Sequence, residues 1–105
     1  MQYRVDVSSQ GAADIRNLFR YISDTLRAPE NAYTQLARIR KQILSLAELP
    51  MRFRAYPKHF AGYPQVRIMP VDHFEVFYTV DTAQEKVTIL RVIYGGRDID
   101  RAFMP

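Results

Sequence analysis

Apolar and polar residues alternate from Gln2 to Val7, with Tyr3, Val5 and Val7 set against Arg4 and Asp6, which predicts a strand with one buried face. Ser8 or Ser9 can cap the helix that follows, where Ile15, Leu18, Phe19, Ile22 and Leu26 recur at helical spacing and form one apolar stripe. Asp14, in its early turns, complements the helix dipole. Arg27-Ala28-Pro29 breaks this helix, and Pro29 suits the first turn of the next, where a missing N–H costs nothing. There Ala32, Leu36, Ile39, Ile43 and Leu46 alternate steps of four and three. Such a seam faces one partner, so the two helices are predicted to form an antiparallel hairpin joined by a very short turn.

Leu49-Pro50 stops the second helix, and residues 51–62 read as a loop rich in Arg, Lys, Tyr and His; loops of this length are often functional. From Tyr63 the period becomes two. Val66 and Ile68 lead to Pro70-Val71-Asp72, and Phe74, Val76, Tyr78 and Val80 then alternate with Glu75, Phe77 and Thr79. After a polar turn, Val87 to Tyr94 is apolar on both faces; Gly95-Gly96 ends it, and Arg97 to Phe103 is a tail that can form a helical turn. The predicted fold is therefore α+β in the order β-α-α-β-β-β. An antiparallel sheet, a three-strand meander joined by the first strand, carries the helix hairpin on one face and leaves the other open. Arg91, a charge inside an otherwise apolar strand, marks the open face, unless its stem packs and its head reaches solvent.

Composition adds limits. With 105 residues, 48% hydrophobic and 25% charged, the chain is expected to form a single domain over residues 1–105 with one core. The absence of cysteine excludes disulfides and thiolate chemistry. No signal-like apolar run opens the chain and no stretch approaches the ~20 residues of a membrane span, so a soluble, cytoplasmic protein without membrane association is expected. The net charge of +4 is uneven: from Arg38 to Arg67 seven cations stand against Glu48 alone. Twelve of the fifteen cations are arginine, the better fork for phosphate or for an acidic protein.

Candidate chemistry is sparse. There is no glycine-rich phosphate loop, no histidine pair at metal spacing and no nucleophile elbow, so neither a cofactor nor a metal is expected. His59 and His73 are the only imidazoles, the side chains able to move a proton either way near neutral pH. Gly95-Gly96 lets the chain turn sharply and aim Arg97 over the sheet to hold a phosphate, although Asp98 or Asp100 can equally pair with Arg97 or Arg101 locally. Tyr56, Tyr63 and Tyr94, interleaved with Arg52, Arg54, Lys58 and Arg67, offer stacking planes beside cations, as single-stranded nucleic acid would use. The same tyrosines could be the edges of the core.

The order of elements, the run Phe74-Glu75-Val76-Phe77-Tyr78-Thr79-Val80 and the terminal Arg91-Val92-Ile93-Tyr94-Gly95-Gly96-Arg97-Asp98-Ile99 resemble the RelE/ParE superfamily of type II toxin–antitoxin toxins. The resemblance implies a growth-arresting toxin held silent by a cognate antitoxin in a hetero-oligomer. It acts either as a ribosome-dependent mRNA endonuclease, like RelE, or as a DNA gyrase poison, like ParE, which is not an enzyme. Arg97 matches the arginine that contacts substrate phosphate in RelE-like nucleases, and Arg67 stands in for a strand-two lysine. Glu75 occupies the position of a second arginine and Phe103 that of a tyrosine. Both are departures, since a carboxylate repels phosphate and Phe cannot exchange a proton. In a nuclease His73 would be the proton carrier that remains, and the catalytic set would be Arg97, Arg67 and His73. Arg91, Arg52, Arg54, Lys58 and Tyr94 would contact nucleic acid or another target. The incomplete nuclease set and the Gly-Arg-Asp ending tilt the expectation towards gyrase. A basic, half-apolar surface calls for an acidic, partly disordered antitoxin that folds on contact. A plain RNA-binding or interaction module is the remaining alternative.

Overall fold

The structure, a computed structural model, describes residues 2–56 and 65–95. Strand β1 (Arg4–Val7) leads into helix α1 (Ser9–Arg20), a π-helical turn (Tyr21–Thr25), helix α2 (Pro29–Ser45) and a 3-10 turn (Pro50–Arg52). Strands β2 (Arg67–Val71), β3 (Phe74–Asp81) and β4 (Lys86–Tyr94) follow, so the element order is the expected one. The sheet runs β1-β4-β3-β2; β2, β3 and β4 form an antiparallel meander, and β1 adds in parallel with Val5 opposite Val87. The sheet is thus mixed, because the hairpin and two further strands separate β1 from its partner, long enough a connection for parallel pairing.

Of the two candidate caps it is Ser8 that serves: its Oγ accepts from the Gly11 N–H at 3.0 Å and donates to the Leu90 carbonyl at 3.0 Å, binding the helix start to β4. Gly11 lets α1 approach, since a Cβ there would meet the Ile89 carbonyl oxygen at 3.1 Å. Leu26 leaves the predicted stripe. The π turn, in which the Leu26 N–H reaches the Tyr21 carbonyl at 3.0 Å, inserts an extra residue into the helical phase, and Leu26 ends 55% exposed. Arg27, at φ 52°, then reverses the chain and Pro29 opens α2.

On the helix-bearing face, Ile39, Ile43 and Leu46 of α2 and its C-terminus meet Met69, Val71, Val76, Tyr78, Val87, Ile89 and Val92, the main core. Tyr78 is wholly buried, and its hydroxyl donates to the Pro50 carbonyl at 2.6 Å. The opposite face is not the open one expected. Val66, Ile68, Phe77, Leu90 and Ile93 form a second buried cluster there, with Tyr56 packed against it. Residues beside β2 add to its edge: Ala55 bridges Arg67, the Tyr56 N–H reaches the Val66 carbonyl at 2.6 Å and the Ile68 N–H reaches that of Arg54 at 3.1 Å. Among the described residues no helix is long and apolar enough to cross a membrane.

Candidate functional site

The β2–β3 turn and the end of β4 lie side by side because Phe74 pairs with Tyr94, and the Gly95 N–H extends the ladder to the His73 carbonyl at 2.8 Å. Gly95 suits the crowding, since a Cβ there would meet Glu75 Oε1 and the His73 carbonyl oxygen, each at 3.2 Å. Around this junction opens a cleft of about 400 Å³. Ile68, Pro70 and Phe74 supply its apolar lining, and Arg54, Asp72, His73, Glu75 and Tyr94 its polar lining. The Phe74 and Tyr94 rings meet edge to face at 5.7 Å, which steadies Tyr94 while leaving it 54% exposed.

Asp72 holds the turn from outside. It adopts φ 55°, a conformation an Asx side chain tolerates, and its carboxylate accepts from Gln35 at 3.0 Å and from Arg38 at 2.7 Å, both on α2. The Gln35 hydrogen bond foremost, and then Arg38, hold the Asp72 carboxyl below its ordinary value of 3.8, against an opposing effect of desolvation. Sequence reading did not anticipate this pair; an acid in a turn and cations on a helix face carry no mark of their partner.

Three of the sequence candidates, Arg54, His73 and Tyr94, therefore share one cleft, and Glu75 shares it with them. Arg67 does not join them: its guanidinium donates to the Phe53 carbonyl at 2.7 Å and the Met51 carbonyl at 3.3 Å, holding the chain after α2. Arg52 caps α2, donating to the Glu48 carbonyl and the Ser45 hydroxyl, each at 2.7 Å, where the helix dipole favours a cation. Arg91 pairs with Asp14, Nε at 2.7 Å from one carboxylate oxygen and Nη2 at 3.0 Å from the other, while the first oxygen also accepts the Val92 N–H at 2.9 Å. Neither side chain is more than about a fifth exposed (21% and 13%). Asp14 thus serves β4 rather than the dipole of α1, and the charge amid the apolar run of residues 87–94 was the signal for it: a part-buried arginine needs a carboxylate. Lys58, His59, Tyr63, Arg97 and Phe103 lie outside the described residues.

A wider cavity, about 630 Å³, lies between the start of β1 and the end of α2, lined by Tyr3, Leu49 and Met51 with Arg52 already engaged; the Tyr3 hydroxyl and Glu48 are the proton carriers among its described lining. Among the described residues no three His, Asp or Glu side chains come together as a metal would need.

Residues 5–99 match the family model described as ParE toxin of type II toxin-antitoxin system, parDE. No curated protein matches. Among solved structures, the chromosomal ParDE toxin–antitoxin system from P. aeruginosa is similar at 20% identity and a TM-score of 0.71, covering 89% of this chain and 96% of that one. The RelBE2 toxin–antitoxin complex of Mycobacterium tuberculosis is similar at 20% identity and 0.62, covering 90% and 99%. A mutant of the E. coli toxin RelE in its free state is similar at 15% identity and 0.64, covering 98% and 94%. At these identities the solved structures speak for a shared fold.

Proposed function

Because the chain belongs to the ParE toxin family of type II toxin–antitoxin systems, we propose that it arrests growth by binding and poisoning DNA gyrase, and that a cognate antitoxin silences it. The observation that carries the gyrase reading is the company His73 keeps. Cleavage of RNA by its own 2′-hydroxyl needs a base, an acid and cations gathered on the phosphate, each proton carrier contributing roughly 10²–10⁴-fold. In the cleft His73 stands with the carboxylate Glu75 and a single cation, Arg54, while Arg67 and Arg91 are engaged elsewhere, by backbone carbonyls and by Asp14. Such a cleft is poorly made for phosphodiester chemistry and well made for gripping a protein.

The antitoxin is supported by the apolar side chains on the outside of the hairpin and the turn after it: Tyr21, Leu26, Tyr33, Leu44, Leu49 and Met51 are all exposed. The last three stand in sequence beside exposed cations of the basic middle third, Arg40, Lys41 and Arg52, a combination suited to an acidic amphipathic chain that orders on contact. An interface that silences the toxin should bury more than roughly 1,200 Å² in total. Expression of the chain alone should arrest bacterial growth, and coexpression with the product of a short neighbouring reading frame should relieve the arrest.

One preparation of toxin decides the target. Incubated with gyrase and plasmid DNA, it is expected to accumulate cleaved DNA trapped on the enzyme, and added to a translation reaction it should leave ribosome-bound mRNA intact. Messenger RNA cut in the ribosome, without any effect on gyrase, would overturn this proposal in favour of a nuclease; His73→Ala should then abolish the cut.

A further inference from the structure

Among the described residues, one of the two carboxylates lining the cleft lacks a counter-charge. Glu75 faces Pro70 across β2 and Ile93 across β4, so its neighbours on both sides are apolar. Its side chain lies against the end of β4, where a Cβ on Gly95 would meet Oε1 at 3.2 Å and Cγ at 3.9 Å. The residue is half-buried, and among the described residues neither a hydrogen bond nor an ion pair reaches its carboxylate. Asp72, by contrast, is satisfied by Gln35 and Arg38. Arg54 is exposed and water suffices for it. A half-buried carboxylate between apolar neighbours, its oxygens still reached by water from the cleft, favours a cationic donor that can replace that water with charge-assisted hydrogen bonds. Two further features of the cleft suit such a donor. The exposed ring of Tyr94 offers a π face to a cation, and the exposed Pro70 offers apolar surface to a methylene stem.

We propose that this cleft seats an arginine or lysine side chain of the protein the toxin acts on, with Glu75 as the counter-charge and Tyr94 as the stacking surface. The inference rests on the reading of a protein target and says which chemistry of that target is gripped. A ligand bearing phosphate would bring like charge against Glu75, and the repulsion grows as water is excluded.

The test titrates the full-length toxin, followed by NMR, with two blocked pentapeptides that differ only in arginine or citrulline at the centre, and with a short single-stranded RNA. The arginine peptide is expected to bind saturably, with shifts at Glu75, Tyr94 and Ile68. Its advantage over the citrulline peptide should be roughly tenfold, the size of a charge-assisted hydrogen bond, and should vanish in Glu75→Gln. Tyr94→Leu, at an exposed position, should reduce the same ratio several-fold and serves if Glu75→Gln does not fold. Equal binding of the two peptides overturns the proposal, as does RNA that displaces the arginine peptide and binds Glu75→Gln more tightly than the parent toxin. The gyrase assay separates the two readings. A toxin that traps gyrase yet shows no arginine preference overturns the cleft proposal alone, whereas an arginine preference in a toxin inert towards gyrase supports the cleft proposal and overturns only the choice of target.

Discussion

Asp14 satisfies three donors with one carboxylate: two from the Arg91 guanidinium and the Val92 N–H. Removing it takes these three bonds away from a part-buried guanidinium and a strand N–H, so Asp14→Ala is expected to cost about 1–3 kcal/mol, read as a fall in the urea midpoint. Replacing Arg91 by Met as well should recover part of that loss, and a double-mutant cycle measures how much. Tyr78 makes a second case. Burial pushes its hydroxyl above the ordinary 10.0, so the unfolded chain loses that proton first as pH rises. The stability it contributes is whole below about pH 10 and is lost as pH climbs from there towards the raised folded value. Tyr78→Phe should cost about 1–3 kcal/mol at neutral pH, because the Pro50 carbonyl loses its donor. It should also flatten the decline of stability in alkali, measured as the thermal midpoint against pH.

At the scale of elements, the hydrophobic period was enough to place β1, both helices and the meander, because each turns an apolar face to the core and a face leaves a period, although Val7, predicted on the buried face of β1, ends 43% exposed. The seam of α2 is largely legible: Ala32, Ile39, Ile43 and Leu46 are buried and Leu36 is partly so. The period failed at Leu26, since the π turn is a change of phase that no residue in Tyr21–Thr25 announces. Leu26→Ala should therefore change stability by less than about 0.5 kcal/mol, while Leu46→Ala should cost about 2–5 kcal/mol in the same denaturation experiment. A large loss at Leu26 would mean that the helix keeps its α phase. The candidate site was legible only in part. Cations and tyrosines could be counted, but which arginine faces a cleft and which satisfies a carbonyl depends on pairings distant in sequence, as Arg67 with Phe53 and Arg91 with Asp14 show.

For the whole molecule, the pairing of β1 with β4 sets an order of assembly. Residues 4–7 lie against residues 86–89, and Ser8 donates across a separation of 82 residues to Leu90. β1, made before β2, β3 and β4, thus has no partner until β4 has been made. Contacts so far apart in the chain fold slowly, because the loop must close before they repay its entropy. A chain stopped after Glu85 lacks β4, and with it the partner of β1, the seat of α1 and one wall of the cleft. Such fragments should show no cooperative unfolding by circular dichroism and should leave cells growing. Interrupted synthesis is therefore expected to leave inert fragments: whatever the toxin does to a cell waits until β4 has been made.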